Sequence, residues 1–439
     1  MTSEWGKFTD LLSAIVDNRG KTCPVGDSGL PLIATNCINA DDLYPRYETK
    51  RFVSDETYRT WFRGHPKPGD ILFICKGSPG RTNWVPDPVD FCIAQDMVAV
   101  RANPAKVYPK YLFATLRSEV VQSQIDNMHV GTMIPHFKKG DFDKLRIPLL
   151  DSVAQVGVGD FYFDLAERIN LLRETNATLE AIAQALFKSW FVDFDPVRAK
   201  MEGRAPEGMD EATAALFPDS LEETALGSAP KGWTFKPVAE VVQGVYDGPH
   251  ATPPEAESGG VFLGIKNLTG TALDLTEIRH IGEDDWAKWT KRVEPRIGDI
   301  VFSYEATLGF FALVPPDLRC CLGRRLALIR PNTRDGAGHF WFHQFVAEPF
   351  QRLLDKHTIH GATVNRIALK EFPSYSVLTP PVALQMAFDQ VAAAIWSRIH
   401  ANQAQAQVLA QCRDTLLPRL ISGQVRLPEA VQSQEEYAL

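Results

Sequence analysis

The sequence has no long hydrophobic run. No window of about 18 uncharged apolar residues occurs, which is close to the length that a membrane-spanning helix requires. The first ten residues, MTSEWGKFTD, also lack a basic stretch followed by an apolar one. These absences argue against a membrane or exported protein and predict a cytoplasmic location.

Cysteine is sparse and poorly spaced for binding a metal. The seven cysteines form no CxxC pair, and the two nearest, Cys320 and Cys321, are adjacent. Adjacent thiolates are poor geometry for one zinc ion, and disulfide frameworks belong mainly to small secreted chains. We therefore expect buried or incidental thiols and no metal site.

Motifs for nucleotide binding and methyl transfer are incomplete. GKT at 20–22 resembles the end of a phosphate-binding loop, but Ile15 occupies the position where that loop requires glycine. The Pro-Pro pairs that begin at 253, 315 and 380 lack the flanking residues of an amino-methyltransferase. A chain without catalytic residues is expected. The alternative enzyme is a diverged nuclease, whose cluster would be YETK (47–50) behind Asp41 and Asp42.

The chain also lacks an excess of positive charge, with a net charge of −8. That acidity is local. Residues 151–227 carry 6 basic against 15 acidic residues, whereas 1–150 carry 19 against 17 and 228–380 carry 17 against 17. The two large segments are therefore free to present basic faces, which permits DNA binding.

An internal repeat organises the 439 residues. PGDILF (68–73) matches IGDIVF (297–302) at an offset of 229, and ERIN (167–170) matches SRIH (397–400) at an offset of 230. PLIATNCI (31–38) matches FLGIKNL (262–268), which pairs Asn36 with Asn267. A chain of this length is expected to form two or more domains, and the repeat predicts two copies of one unit.

Each copy places strand-like runs before a long helical pattern. In the first helix, apolar residues from Tyr162 to Trp190 recur at alternating spacings of three and four, as in a coiled coil. Asn176, Asn402 and Arg413 interrupt the two stripes and are expected to set their register. The residues predicted to pair the helices are Leu165, Ile169, Leu172, Asn176, Leu179, Leu186, Ile395, Ile399, Ala406, Leu409, Leu416 and Leu420.

The helix length suggests a spacer. Residues 162–190 would form a rod of roughly 42 Å, at about 1.5 Å per residue. If the two rods run antiparallel, the globular parts lie at opposite ends. One turn of DNA is about 34 to 36 Å long, so two reading heads on such a spacer would suit a split DNA site.

The arrangement resembles the DNA specificity subunit of type I restriction-modification systems. The likeness extends over nearly the full length and depends on the order and duplication of its motifs. These are the two GDI strands, YDGPHATPP (246–254), GVFLGIKNLTG (260–270), HVGTMIPHF (129–137), IHGATVNRI (359–367), LFKSWFVDFDPV (186–197), PKGW (230–233) and LLPRLISGQVRLP (416–428).

This resemblance implies an α+β fold with two mixed α/β target recognition domains, related by the repeat and joined by two long helices packed as an antiparallel coiled coil. The implied divisions are recognition domain 1 (1–151), helical region 1 (152–196), an acidic linker (197–231), recognition domain 2 (232–380), helical region 2 (381–424) and a C-terminal tail (425–439).

The resemblance also implies partners. Each recognition domain would read one half of a bipartite, asymmetric site in double-stranded DNA. Two methyltransferase subunits would dock on the helices, and two motor-nuclease subunits would join them. S-adenosylmethionine, ATP and magnesium would be used by those partners and would not bind this chain.

Loops rich in polar and basic residues beside the strands are the candidate DNA contacts. Each of these residues could equally be a solvated or turn-stabilising residue. In copy one they are Thr35, Asn36, Lys76, Ser78, Arg81, Asn83, His136, Lys138 and Lys139. In copy two they are Tyr246, His250, Lys266, Asn267, Ser303, Tyr304, Arg324, Arg325, Asn365 and Arg366.

The aromatic end of the first helix has two interpretations. Trp190, Phe191 and Phe194 either insert into the adjoining recognition domain or form a docking patch for a methyltransferase. Two rival functions for the whole chain remain open, a freestanding two-headed DNA-binding adaptor and the diverged nuclease.

Overall fold

The computed structural model describes residues 4–18, 20, 22–48, 50–93, 95–128, 131, 134–332, 338–361 and 363–427. Part of HVGTMIPHF and most of the predicted C-terminal tail lie outside these ranges. The chain divides into two compact units. Unit 1 combines residues 1–174 with 403–439, and unit 2 consists of residues 175–402.

Unit 1 contains nine strands and three short helices among its described residues. The strands are β1 (Glu4–Lys7), β2 (Leu12–Val16), β3 (Leu30–Ile33), β4 (Phe52–Val53), β5 (Ile71–Ile74), β6 (Thr82–Trp84), β7 (Cys92–Ile93), β8 (Met97–Ala102) and β9 (Arg146–Leu149). The helices are α1 (Asp55–Thr60), α2 (Pro109–Leu116) and α3 (Glu119–Met128). They accompany sheets of order β2-β8-β5-β6, β4-β3-β7 and β1-β9.

Strand β5 explains how PGDILF builds the domain. Successive side chains of a strand point to opposite faces. Ile71 and Phe73 accordingly enter one apolar cluster, with residues of α2 and α3, whereas Leu72 and Ile74 enter another, with Ile33. The strand is buried on both faces, which accounts for its continuous apolar run.

Unit 2 begins inside a long helix, α4 (Ser152–Phe191), which starts in unit 1. Its other helices are α5 (Asp195–Met201), α6 (Glu211–Ala215), α7 (Val238–Val241), α8 (Glu283–Trp289), α9 (Gly338–Val346), α10 (Glu348–Lys356) and α11 (Val382–Ile421), the last of which ends in unit 1.

The strands of unit 2 form sheets of order β13-β21-β18-β19, β17-β14-β20, β12-β22, β15-β16 and β10-β11. The first two orders match the four-stranded and three-stranded sheets of unit 1. The bounds are β10 (Leu221–Thr224), β11 (Gly227–Pro230), β12 (Thr234–Pro237), β13 (Val242–Asp247), β14 (Gly260–Leu263), β15 (Leu268–Thr269), β16 (Ala272–Leu273), β17 (Arg279–Ile281), β18 (Ile300–Ser303), β19 (Phe311–Leu313), β20 (Cys320–Leu322), β21 (Leu326–Pro331) and β22 (Ser376–Thr379).

The segment that the sequence analysis treats as an acidic linker is folded. It contributes α5, α6 and the hairpin of β10 and β11. Phe217 is 2% exposed and packs on Trp190 with ring centroids 5.4 Å apart. Burial of one large aromatic side chain stabilises by about 2 kcal/mol or more, which is enough to hold such a segment in place.

Both GDI motifs contribute a buried carboxylate. In unit 1, Asp70 accepts hydrogen bonds from Arg101 at 2.7 and 2.8 Å, and from the backbone amide of Lys67. In unit 2, Asp299 accepts from Arg330 at 2.8 and 2.6 Å, and from the Arg296 amide. Each carboxylate is therefore paired and hydrogen-bonded, as a buried charge requires.

The stripe residues of the long helices are all buried or half-buried. Within unit 2, the Asn402 amide donates to Asn176 Oδ1 at 2.8 Å, and the Asn176 amide donates to the Ile399 carbonyl at 3.2 Å. Farther along in the same unit, Phe187 contacts Phe388 with ring centroids 5.3 Å apart. Within unit 1, the Arg413 guanidinium lies 5.6 Å from the centre of the Tyr162 ring.

The helices and the cysteines of the described residues bear on two expectations from the sequence. No helix there is long and apolar enough to cross a membrane. All seven cysteines are free thiols, and all except Cys412 are buried. Six of the seven thiols are therefore buried, in line with the expectation of buried or incidental thiols.

Asp299→Ala is expected to lower the free energy of unfolding by about 3 kcal/mol, because it leaves the Arg330 guanidinium, which is only 16% exposed, without its carboxylate. Urea denaturation followed by circular dichroism measures this change. The matched control is Glu257→Ala, which removes an exposed carboxylate and should change the free energy by less than about 0.5 kcal/mol. Equal losses of unfolding free energy for the two substitutions would contradict the pairing of Asp299 with Arg330.

Unit 2 should lose stability as the pH falls below about 6.5. Burial, with a smaller effect of His339, lowers the pKa of His343 to about 3, and its Nε2 accepts a hydrogen bond from Trp396 Nε1 at 3.1 Å. Between those two pH values the unfolded chain binds a proton at this position that the folded chain does not. The contribution of His343 to the free energy of unfolding is therefore fully present above pH 6.5 and declines as the pH falls below it. Thermal melts of His343→Gln, which keeps an acceptor but does not titrate, should show a shallower decline. Parallel curves for the two proteins would contradict this.

Candidate nucleic-acid interface

A cleft in unit 1 brings together four of the predicted DNA contacts. Lys76, His136, Lys138 and Lys139 line an open cavity of 580 Å³. Its other lining residues, which are not among the predicted DNA contacts, are Asp17, Gly20, Thr22, Gln95 and Asp96. We refer to this cavity as the lysine cleft.

Backbone hydrogen bonds assemble the lysine cleft from distant parts of the chain. After β5 ends, the Cys75 amide donates to the Asp96 carbonyl at 2.8 Å, and the Phe137 amide donates to the Cys75 carbonyl at 2.8 Å. Lys76 forms an antiparallel bridge with His136. The next residue, Gly77, has a φ of 95°, a conformation that favours glycine. The loop after β5 is thereby held against the segment that carries His136 and the two lysines.

The charges in the lysine cleft are only partly neutralised. Lys76 Nζ lies 4.0 Å from Asp96 Oδ1, and Lys139 Nζ lies 3.3 Å from Asp17 Oδ2. Lys138 is exposed and has no carboxylate partner among the described residues. Exposed ion pairs stabilise a protein by at most about 1 kcal/mol, so these lysines can exchange their carboxylates for phosphate groups.

The other predicted contacts of copy one lie outside the cleft lining. Asn36 is exposed and donates to the Glu48 carbonyl at 2.9 Å. Arg81 is exposed, whereas Thr35 and Ser78 are half-buried. Asn83 requires a correction, because its side chain is fully buried and bonded to the Asn39 backbone, at 2.9 and 3.1 Å. It stabilises a loop and cannot reach DNA.

Unit 2 assembles the corresponding region in the same way. The Tyr304 amide donates to the Arg325 carbonyl at 3.1 Å, and the Ile367 amide donates to the Tyr304 carbonyl at 2.8 Å. The Ala306 amide donates to the Asn365 carbonyl at 3.0 Å, while Arg366 bridges Glu305. The predicted residues Arg325, Asn365 and Arg366 are thus brought together.

Asp247, at the end of β13, contacts two polar side chains of this region. His250 Nε2 lies 3.0 Å from Asp247 Oδ2, and Arg292 donates to the other carboxylate oxygen. The predicted residue Tyr246 precedes it and is half-buried. Sequence reasoning missed Arg292, because it lies in neither a repeat match nor a polar loop motif.

For three residues of copy two, the predicted DNA contact requires correction. Asn267 is 3% exposed, and its amide bonds to the carbonyls of Asp274 and Glu277 and the amide of Gly264. Ser303 is fully buried, and its hydroxyl accepts from the Phe310 amide. Tyr304 is 7% exposed, and burial raises the pKa of its phenol. These side chains face the interior, whereas Lys266 is exposed and pairs with Glu277 at 3.0 Å.

The aromatic end of α4 lies in the core of unit 2. Trp190 and Phe191 are each 5% exposed. Phe191 contacts Phe340 and Phe388 with ring centroids 5.0 and 5.5 Å apart. Phe194 is half-buried against Trp233. This placement favours insertion into the adjoining domain, and the binding of a partner by Phe194 stays a prediction.

Comparison with known proteins shows what the chain is similar to. Residues 31–181 match the type I restriction modification DNA specificity domain. The HindI specificity subunit of Haemophilus influenzae is 24% identical over 82% of this chain and 87% of its own length. The MjaIX specificity subunit of Methanocaldococcus jannaschii is 21% identical over 74% of this chain and 70% of its own. Both are type I restriction enzyme specificity subunits.

A solved structure has the same fold. The type I restriction-modification S subunit from M. genitalium superposes with a TM-score of 0.52, covering 95% of this chain and 96% of its own, at 14% identity. The α+β class predicted from the sequence is confirmed. The chain is thus similar over most of its length to specificity subunits of type I restriction-modification systems, and residues 31–181 match their DNA specificity domain.

Phe191→Ala is expected to lower the free energy of unfolding by about 3 to 5 kcal/mol, because it opens a cavity among packed aromatic rings. Phe194→Ala should cost clearly less, since that side chain is only half-buried and its ring contact is with Trp233. Chemical denaturation of both variants measures the difference. A larger loss for Phe194→Ala would contradict the described packing.

Proposed function

We propose that this chain selects the DNA sequence on which a type I restriction-modification complex acts. Each recognition domain would contact one half of a bipartite, asymmetric site. The lysine cleft is the observation that carries this proposal for unit 1, because it combines exposed lysines with neutral donors and acceptors. Cations attract the DNA backbone irrespective of sequence, and neutral polar groups distinguish base edges.

We propose the domain division and the internal repeat predicted from the sequence. The matching strand orders support the repeat. So do the bulges at the same place in β2 and β13, between Leu12 and Ala14 and between Val242 and Gly244. The paired Asp70 and Asp299 motifs add a third correspondence.

The helices are proposed to form an antiparallel coiled coil that sets the unread spacer between the half-sites. The contacts of Asn176 with residues 399 and 402, together with that of Phe187 with Phe388, support antiparallel packing inside unit 2. An asparagine in the seam between two helices is a recognised device for fixing helix register. A register shift would alter the spacer length, so this pair bears on site selection.

The chemistry is assigned to partner subunits. Two methyltransferase subunits would dock on the helices and use S-adenosylmethionine, and two motor-nuclease subunits would use ATP and magnesium. The specificity chain would itself be non-catalytic and would act in the cytoplasm. A freestanding adaptor with the same two heads would instead bind DNA without any effect on methylation.

Methylation mapping in the host genome tests the proposal. The motif whose methylation requires this chain should be bipartite and asymmetric, because the two recognition regions carry different side chains. Exchanging residues 1–150 with those of a relative should change one half only. A continuous or palindromic motif, or methylation that persists after deletion of the chain, would reject the proposal.

A further inference from the structure

Gln95 and Arg324 occupy the same place in the two recognition regions. Gln95 lies between β7 and β8, and Arg324 lies between β20 and β21. Strand β7 pairs in parallel with β3, matching Ile33 to Ile93, and β20 pairs in parallel with β14, matching Leu263 to Leu322. The connection from β7 to β8 and the connection from β20 to β21 are each three residues long, so position 95 corresponds to 324.

The residue that follows each of them confirms this correspondence. Asp96 and Arg325 adopt positive φ angles of 68° and 76°, which are uncommon outside glycine. The carbonyl of each accepts a backbone amide from the loop after the neighbouring strand, Cys75 in unit 1 and Tyr304 in unit 2. The same strained turn is therefore built twice, and such strain concentrates at functional sites.

Both side chains are available to a ligand. Gln95 and Arg324 are exposed, and neither has a side-chain partner among the described residues. Gln95 lines the lysine cleft beside Lys76 and Lys138. An uncharged amide adds no net attraction for phosphate, whereas the neighbouring lysines do. What Gln95 contributes to the cleft is one directional donor and one directional acceptor.

The two side chains differ in what they can recognise. A glutamine amide matches the donor and acceptor that adenine presents in the major groove, whereas a guanidinium has only donors and matches the two acceptors of guanine. Resting on the proposed function, we infer that Gln95 and Arg324 are the base-reading residues of this turn, Gln95 for an A·T pair in one half-site and Arg324 for a G·C pair in the other. A single structural position would then give the two halves different sequences.

The test uses the complex of this chain with its cognate methyltransferase subunits. The probes are DNA duplexes that carry the mapped wild-type motif, with each base pair replaced singly. Gln95→Arg should move the preference at one base pair from A·T to G·C, and Arg324→Gln should move one base pair of the other half in the opposite sense. Each change should be on the order of 10- to 100-fold in relative affinity.

Two further variants separate base reading from phosphate contact. Arg324→Ala should make the four base pairs nearly equivalent at its position while leaving discrimination elsewhere intact. Lys138→Ala should weaken binding to every duplex and reduce the salt dependence by about one unit. If Arg324→Ala or Gln95→Ala behaves like Lys138→Ala, or leaves every preference unchanged, the inference is overturned.

Failure of the proposed function and failure of the assignment of Gln95 and Arg324 would give different results. A wild-type complex that shows no sequence preference would remove the proposed function itself. A wild-type complex with a bipartite preference that the variants at 95 and 324 do not alter would remove only the assignment of these residues. Circular dichroism of each variant verifies folding, which exposed side chains are expected not to affect.

Discussion

Both units depend on burying aromatic and aliphatic side chains from the two long helices. Tyr162 and Phe163 of α4 and Leu417 and Leu420 of α11 complete the apolar core of unit 1 around Phe113. Phe187 and Phe191 of α4 and Phe388 and Trp396 of α11 complete that of unit 2 around Phe340. Each core thus combines residues of a recognition region with residues of both long helices. Helix α11 ends in the core of unit 1. Residues after 402 therefore belong to the same unit as β1, which begins at Glu4.

This constraint gives the helices two tasks. One stripe pairs helix with helix, through contacts such as those of Asn176 and Asn402. A second stripe anchors the recognition regions, and Arg117 strengthens the anchor in unit 1. Its guanidinium donates to the Tyr162 hydroxyl at 3.3 Å and to the carbonyls of Asp42 and Thr82 at 2.6 and 3.0 Å. A rigid link of this kind is needed if helix length is to define the spacing between two readers.

The sequence was most informative where a pattern repeats. The two GDI motifs predicted equivalent strands, and the spacing from Tyr162 to Trp190 predicted a helix that α4 contains in full. The sequence was less informative about which polar side chains point into the interior. Asn83, Asn267 and Ser303 are polar residues close to predicted strands, yet each points inward to satisfy backbone groups. Residue type and spacing do not encode that choice, which depends on partners far away in the chain.

The stripe template also missed Phe163, Phe187 and Phe388, because a coiled-coil pattern considers only the seam between helices. Gln95 was not among the predicted DNA contacts because it lies in no motif. Its position became meaningful only through the strand pairings on either side and through the backbone bonds of Asp96 and Arg325. Functional surfaces of this kind depend on the register in which strands from distant parts of the chain pair. A single sequence gives little information about that register.

Site-specific photo-crosslinking gives the most direct test of two separate readers. A photoreactive side chain placed at position 138 and, in a second protein, at position 366 would be irradiated in the complex bound to a duplex with the mapped motif. The account predicts that position 138 reacts with one block of the motif only and position 366 with the other block only. Crosslinks from both positions to the same block would contradict it.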